Sequence, residues 1–317
     1  MTTALDGMLD RALDPALVRA RAALGPDLAA AAPRPGPAAI VSPMCQAVDW
    51  RCWTVAEAGL FLKLREPDAM PFVDLTATAE AAEAAAALGL SPAVRFVRPA
   101  QGAIGLDLLP APWRTARLHD LADPSIFAAV LMARQAFRAG PPLRRRWDIF
   151  AHAAAMYGAA DAAGMAPGDG PALMAAVGQA RDALAAAGQD LRPCHADGLA
   201  SNIMLGPGGG VMLVDFDCAG MADPYLDVGV LLNEAYGSEA EMRPGLDLAF
   251  GRDDPRDLNR CRLLAFADDV AWGAWGLAMA ATSPRRGLEF LKYGEWRLLR
   301  ARMMMGDGAF DARLHRL

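Results

Sequence analysis

CHADGLASNIMLGPGGGVMLVDFDCAGMADPYLDVG, residues 194–229, is the stretch on which the reading of this chain turns. It holds His195-x-Asp197-x-x-x-x-Asn202 and, after a hairpin-like segment, Asp215-Phe216-Asp217. A carboxylate that takes the proton of an incoming hydroxyl, with oxygen ligands that hold Mg²⁺ against phosphates, is the equipment of phosphoryl transfer. Asp197 is placed for the first task, and Asn202 and Asp215 for the second. A short loop followed by a hairpin, Asn202 to Leu205 and Val211 to Phe216 around Gly206-Pro207-Gly208-Gly209-Gly210, returns both oxygen ligands to one point. His195 and Asp227 are expected to support the loop backbone. Asp217 stays open between assisting the metal and ending a hairpin in solvent.

Working outward, residues 5–32 carry helical spacing and stop at Pro33-Arg34-Pro35-Gly36-Pro37. Strand-like runs follow at Trp50 to Val55 and Gly59 to Leu64, then an Ala-rich helix from about Ala77 to Leu88. Two more strand-like runs, Ala93 to Val97 and Ala103 to Leu109, turn at Gln101-Gly102, and Pro110-Ala111-Pro112 breaks the pattern. Almost everything later reads as helix. The fold class is therefore α+β, with a small β-rich lobe over residues 1–109 and a larger mainly helical lobe over residues 110–317.

Composition agrees with a globular chain: of 317 residues, 54% are apolar and 21% charged, with a net charge of −6. That charge gives no general pull toward nucleic acid or anionic lipid, and Arg144-Arg145-Arg146 reads as a solvated helix start. Five cysteines at 45, 52, 194, 218 and 261 include no C-x-x-C pair, so a reducing cytoplasm is expected rather than a disulfide or zinc framework. The N-terminal residues carry acids and arginines throughout and no apolar h-region, so no signal peptide is expected. Val270 to Ala281 is too short to span a bilayer, so no membrane insertion is expected. The oligomeric state stays open.

The segment 194–229 resembles the catalytic and metal loops of the protein-kinase-like fold. With no Arg between His195 and Asp197, and D-F-D in place of D-F-G, it is similar to the small-molecule branch that includes aminoglycoside phosphotransferases and choline/ethanolamine kinases. The run Ala219-Gly220-x-x-Asp223-Pro224-x-x-Asp227 is typical of that branch. The resemblance implies a two-lobed fold, with ATP and Mg²⁺ in the cleft and a small-molecule alcohol as acceptor. It also implies a strand lysine for the α/β-phosphates and a helix glutamate to hold it. Lys63 fits the first place, the alternative being an edge lysine that discourages aggregation. Glu80 fits the second, with Glu83 as alternate. One departure stands out: where the family carries a glycine-containing turn over the phosphates, this chain reads Gln46-Ala47-Val48-Asp49-Trp50.

The stretch AWGAWGLAMAATSPRRGLEFLKYGEWRLLRAR, residues 271–302, puts Trp272 and Trp275 on one helix face. It resembles the C-terminal W-G-x-W segment and F-x-x-Y-x-x-x-R helix of choline/ethanolamine kinases, which implies an ammonium pocket walled by Trp272, Trp275, Tyr293 and Phe290. The segment from Asp227 to Tyr236 also resembles that family, and Tyr236 is expected to close the cage. Aromatic faces suit a quaternary ammonium, which has no N–H to donate. A Trp pair at this spacing is also ordinary core. The reading is a kinase of a cationic amino alcohol. The alternatives are a kinase of an aminoglycoside, thiamine or sugar-like alcohol, or a catalytically silent binding protein of this fold.

Overall fold

The computed structural model of the protein describes residues 14–28, 30–36, 49–69 and 72–317. Its first layer is an antiparallel sheet of β1 (Arg34–Pro35), β2 (Trp50–Val55), β3 (Leu60–Arg65), β4 (Val94–Arg98) and β5 (Ala103–Asp107), in the order β1-β2-β3-β5-β4. Period-two alternation gives β3 two faces. Leu60, Leu62 and Leu64 pack with Ala16, Ala20, Ala23 and Leu24 of helix α1 (Pro15–Leu24). Phe61 and Lys63 therefore point the other way, into a cleft. Helix α1 ends earlier than the helical spacing of residues 5–32 implies. At Gly25 the backbone leaves the helix with φ 75° and extended ψ, a conformation that residues with a Cβ avoid, and residues 1–13 lie outside the described part.

Helix α2 (Leu75–Ala87) covers part of the sheet. It begins at Asp74, whose carboxylate accepts from the backbone N–H of Thr76 and Ala77. Beyond β5 the chain changes partners. Strand β6 (Arg114–Thr115) joins β8 (Ile203–Leu205) and β9 (Val211–Leu213), while β7 (Arg192–Cys194) pairs with β10 (Gly220–Ala222).

The rest is helical: α3 (Pro124–Arg138), α4 (Ile149–Ala162), α5 (Gly170–Ala187), α6 (Pro224–Ala235), α7 (Glu239–Phe250), α8 (Pro255–Thr282), α9 (Phe290–Met305) and α10 (Phe310–Leu314). Helices α1, α3, α6 and α8 all start with an Asp N-cap followed by Pro. The Asp accepts a free first-turn N–H, and proline gives up a donor that has no helical partner there. Helix α8 threads the larger core, which includes Leu263, Phe266, Trp275 and Met279. A Cβ on Gly276 would stand 2.7 Å from the Cα of Gly294. This bare contact is what lets α8 and α9 come close enough for their aromatic side chains to meet.

The fold is thus mixed α+β, a sheet-based lobe against a larger helical one. Arg144-Arg145-Arg146 is not a solvated helix start. It precedes α4 by several residues, and Arg145 donates to the carbonyls of Asp217 (2.6 Å) and Ala219 (2.8 Å). Cys52, Cys194, Cys218 and Cys261 are free thiols, and Cys45 lies outside the described residues. Among the described residues no helix is long and apolar enough to cross a membrane.

Candidate active site

Between the lobes runs one cavity of about 480 Å³, lined by Lys63 and Ile104 at one end, Asp197, Asn202 and Asp215 in the middle, and Trp272 at the other. The loop after β7 carries the middle. Ala196 sits at φ 58°, a left-handed conformation that non-glycine residues avoid. Its N–H is held by Asp227 Oδ1 at 2.9 Å. The fully buried Arg134 donates to Asp227 Oδ1 (2.9 Å), to the Asp227 carbonyl (2.8 Å) and to the carbonyl of Asp197. His195 bonds the Val214 carbonyl at 2.9 Å through Nε2. Burial, with Arg134 nearby, lowers its pKa to about 4, so it is neutral at pH 7. His195 and Asp227 thus hold backbone and do not face the cavity.

Asp197 Oδ1 accepts from the Leu199 N–H at 2.7 Å and Oδ2 from Asn202 Nδ2 at 2.8 Å. Each oxygen keeps a further lone pair. Burial, helped by the charge of Asp215, raises its pKa to about 6 against the bond from Leu199. That is a carboxylate still ionised at neutral pH yet more basic than an exposed one.

Asp215 stands at φ 66°, like Ala196 a non-glycine residue in the left-handed region, and its Oδ1 takes a 2.6 Å bond from Lys63 Nζ. Burial alone would pull the Lys63 ammonium down, but Asp215 and Asp217 outweigh it and hold the pKa above the ordinary lysine value. Lys63 also lies 4.5 Å from the centre of the Trp50 ring. The donor set suits Mg²⁺. Asn202 turns its NH₂ toward Asp197, leaving its amide oxygen without a protein partner among the described residues, and Asp215 adds a carboxylate. Among the described residues no group of three or more His, Cys, Asp or Glu could hold a metal by itself. Mg²⁺ is commonly bound by one or two protein oxygens together with phosphates, so the two residues fit that ion.

Glu80 does not reach Lys63. It bonds Arg144, at 3.0 Å through Nε and 3.2 Å through the backbone N–H, and Glu83 is exposed. The polar side chain that α2 sends to the site is Thr78, 3% exposed, which donates to Asp217 Oδ1 at 2.9 Å. Asp217 Oδ2 takes the Trp50 indole N–H at 2.6 Å, so Asp217 is no solvated hairpin end. Burial and the neighbouring Asp215 raise its pKa to about 6. Gln46, Ala47 and Val48 lie outside the described residues. The described part of that turn brings Asp49, whose pKa burial and the charges of Asp217 and Asp215 push to about 8.

At the far end Trp272 and Trp275 meet at 77° with ring centres 5.5 Å apart, and Tyr293 stands at 89° to Trp275. All three line the cavity. Phe290 and Tyr236 do not. Phe290 packs edge-on against Trp275, away from the opening. Tyr236 follows the end of α6 in extended backbone and packs on Phe127, 5.2 Å between centres. The sequence reading missed the charges here. Asp268 accepts from the Trp272 indole N–H at 3.0 Å and pairs with Arg297. Glu234 has Arg300 at 3.9 Å, and burial raises its pKa. Glu234 lay inside a segment already singled out, two residues before Tyr236. Asp268 precedes Trp272 by one helical turn, and that spacing was its only signal.

Residues 46–264 match the model of the phosphotransferase enzyme family. A sequence search of curated proteins found no match. The chain is similar in structure to a choline/ethanolamine kinase family protein from Mesorhizobium loti, with a TM-score of 0.77 and 23% identity over 94% of this chain and 97% of that one. It is also similar to the choline kinase LicA from Streptococcus pneumoniae, with a TM-score of 0.72 and 17% identity over 82% of this chain and 90% of that one; LicA is known in complex with AMP too. The gentamicin complex of APH(2″)-IIa follows, with a TM-score of 0.56 and 14% identity over 81% and 90%.

Proposed function

The chain belongs to the phosphotransferase enzyme family, and on that premise we propose that it moves the γ-phosphoryl group of ATP to the hydroxyl of a small, cationic amino alcohol. What carries this reading is the cleft that brings Asp197 together with the Lys63–Asp215 pair and the aromatic end. The acceptor hydroxyl gives its proton to Asp197 as its oxygen bonds to the γ-phosphorus. The bond from that phosphorus to the bridging oxygen breaks, and its electron pair leaves with ADP. Lys63 neutralises phosphate charge, and Ile104, Leu106 and Met204 offer the base an apolar slot. A Mg²⁺ ion held by Asn202 and Asp215 would supply further charge neutralisation. Asp215→Ala should weaken the Mg²⁺ response more than Asn202→Ala, because it removes a charge as well as an oxygen. A titration of turnover against Mg²⁺ checks this, and unchanged dependence in both variants would move the metal elsewhere.

Trp272, Trp275 and Tyr293 supply ring faces to the cation, beside the carboxylates of Glu234 and Asp268, which Arg300 and Arg297 of the same wall offset. The similarity to choline and ethanolamine kinases supports this choice of acceptor, and the AMP complex of LicA supports the nucleotide. The decisive experiment measures ADP release with ethanolamine, choline and a neutral alcohol of similar shape, in wild type and in Trp272→Leu. Loss of one cation–π wall should weaken a charged acceptor by roughly 1–2 kcal/mol, about 5- to 30-fold in KM. The neutral alcohol should change far less. Equal losses for all three would end the cage.

A further inference from the structure

Protein kinases tie their small-lobe helix to the strand lysine through a glutamate, and here Glu80 is elsewhere. We infer that Asp217, through Thr78 and Trp50, is the positioning residue that fixes helix α2 and strand β2 to the metal-binding loop. Its two carboxylate oxygens take one donor each from the small lobe: Thr78 Oγ1 from the helix at 2.9 Å and the Trp50 indole from the sheet at 2.6 Å. Two residues earlier Asp215 takes Lys63 at 2.6 Å. The large-lobe loop thus gathers three small-lobe side chains, and Trp50 lies over Lys63 as well. Arg145 from the far side donates to the carbonyl of Asp217 at 2.6 Å, which fixes that loop in turn. The second aspartate of D-F-D acquires a role that needs neither solvent nor a metal. The inference rests on the proposed nucleotide site only for its effect on turnover, since the tie itself is a property of the free protein.

Hydrogen exchange of the unliganded protein is therefore the first measurement. Thr78→Val keeps the shape of the side chain but removes the donor. Amides of α2 should exchange roughly tenfold faster in Thr78→Val and in Asp217→Ala, with the helices of the large lobe as in wild type. Asp217→Asn is the rescue variant. Its amide oxygen accepts from Trp50, and its NH₂ donates to the Thr78 hydroxyl, which can rotate to accept. It should hold α2 exchange and the KM for ATP within about threefold of wild type, whereas Asp217→Ala raises that KM roughly tenfold. Three results would overturn the inference: unchanged α2 exchange in Thr78→Val, equal acceleration in Glu80→Gln, or Asp217→Asn losing its Mg²⁺ response as Asp215→Ala does. The last would make Asp217 a metal ligand. Exchange needs no ligand, so the tie stands or falls even if no alcohol is phosphorylated.

Discussion

Asp197→Asn should lower kcat by about 10²–10⁴-fold at saturating ATP, acceptor and Mg²⁺. The substitution keeps the size of the side chain and the bond from the Leu199 N–H, and removes the proton acceptor. It also sets an NH₂ group against Asn202 Nδ2, which now donates to Asp197 Oδ2 at 2.8 Å. Asn202 is then driven to flip its amide and turn its oxygen away from the metal side. Two losses are thereby mixed, and Mg²⁺ separates them: excess metal restores a loss caused by the flip, but not one caused by the missing base. Turnover within about threefold of wild type, with folding intact, would dismiss Asp197 as the base. In wild type the base must be ionised, so kcat/KM should fall as the pH drops through about 6, to which burial raises the Asp197 pKa. Stability runs the opposite way. A carboxyl that holds its proton more tightly when folded stabilises the fold fully below its unfolded value of 3.8, and that contribution is lost as the pH rises through about 6. The inactive Asn variant should therefore melt no lower than wild type at about pH 8.

What the sequence made legible is what is local. Asp197, Asn202 and Asp215 come together through one loop and one short hairpin, so their spacing along the chain encodes their meeting in space. Trp272 and Trp275 share a face because α8 is continuous through both. The errors come where partners lie far apart in the chain or where a helix ends. Thr78 meets Asp217 across 139 residues and Trp50 meets it across 167. No periodicity within α2 reveals which face turns inward, because alanines are buried around most of it, at 77, 79, 81, 82 and 85. Thr78 and Glu80, two positions apart, cannot face the same way on a helix. Choosing the glutamate for its charge selected the side that meets Arg144. Tyr236, expected to close the cage from the resemblance of its segment, lies just past the end of α6 at Ala235 and packs on Phe127 instead.

The largest loss of stability is expected at Arg134. Its guanidinium is fully buried and joins three acceptors, the Asp227 carboxylate, the Asp227 carbonyl and the Asp197 carbonyl. Arg134→Met fills similar space and leaves the Asp227 carboxylate with the Ala196 N–H and with Arg138, which stands 3.6 Å from Oδ2. Removing one partner of a buried ion pair costs about 3–5 kcal/mol, because the remaining charge has lost its counter-ion and has no water to replace it. Arg138 offsets part of that, so the lower end of the range is expected, about 3 kcal/mol in urea unfolding with an unchanged denaturant slope. The double variant Arg134→Met/Asp227→Asn is the stronger test. An asparagine can still accept from the Ala196 N–H but carries no charge, so stability should partly return. Activity should not, since the Asp197 carbonyl still lacks its donor and the left-handed turn at Ala196 loses the charged acceptor that held it. A loss below about 1 kcal/mol in the single variant would mean that Arg138 alone neutralises Asp227. The catalytic loop would then be held by His195 and local backbone bonds rather than by this pair. Recovery of both stability and turnover in the double variant would assign Arg134 to charge balance alone, with no part in placing Asp197.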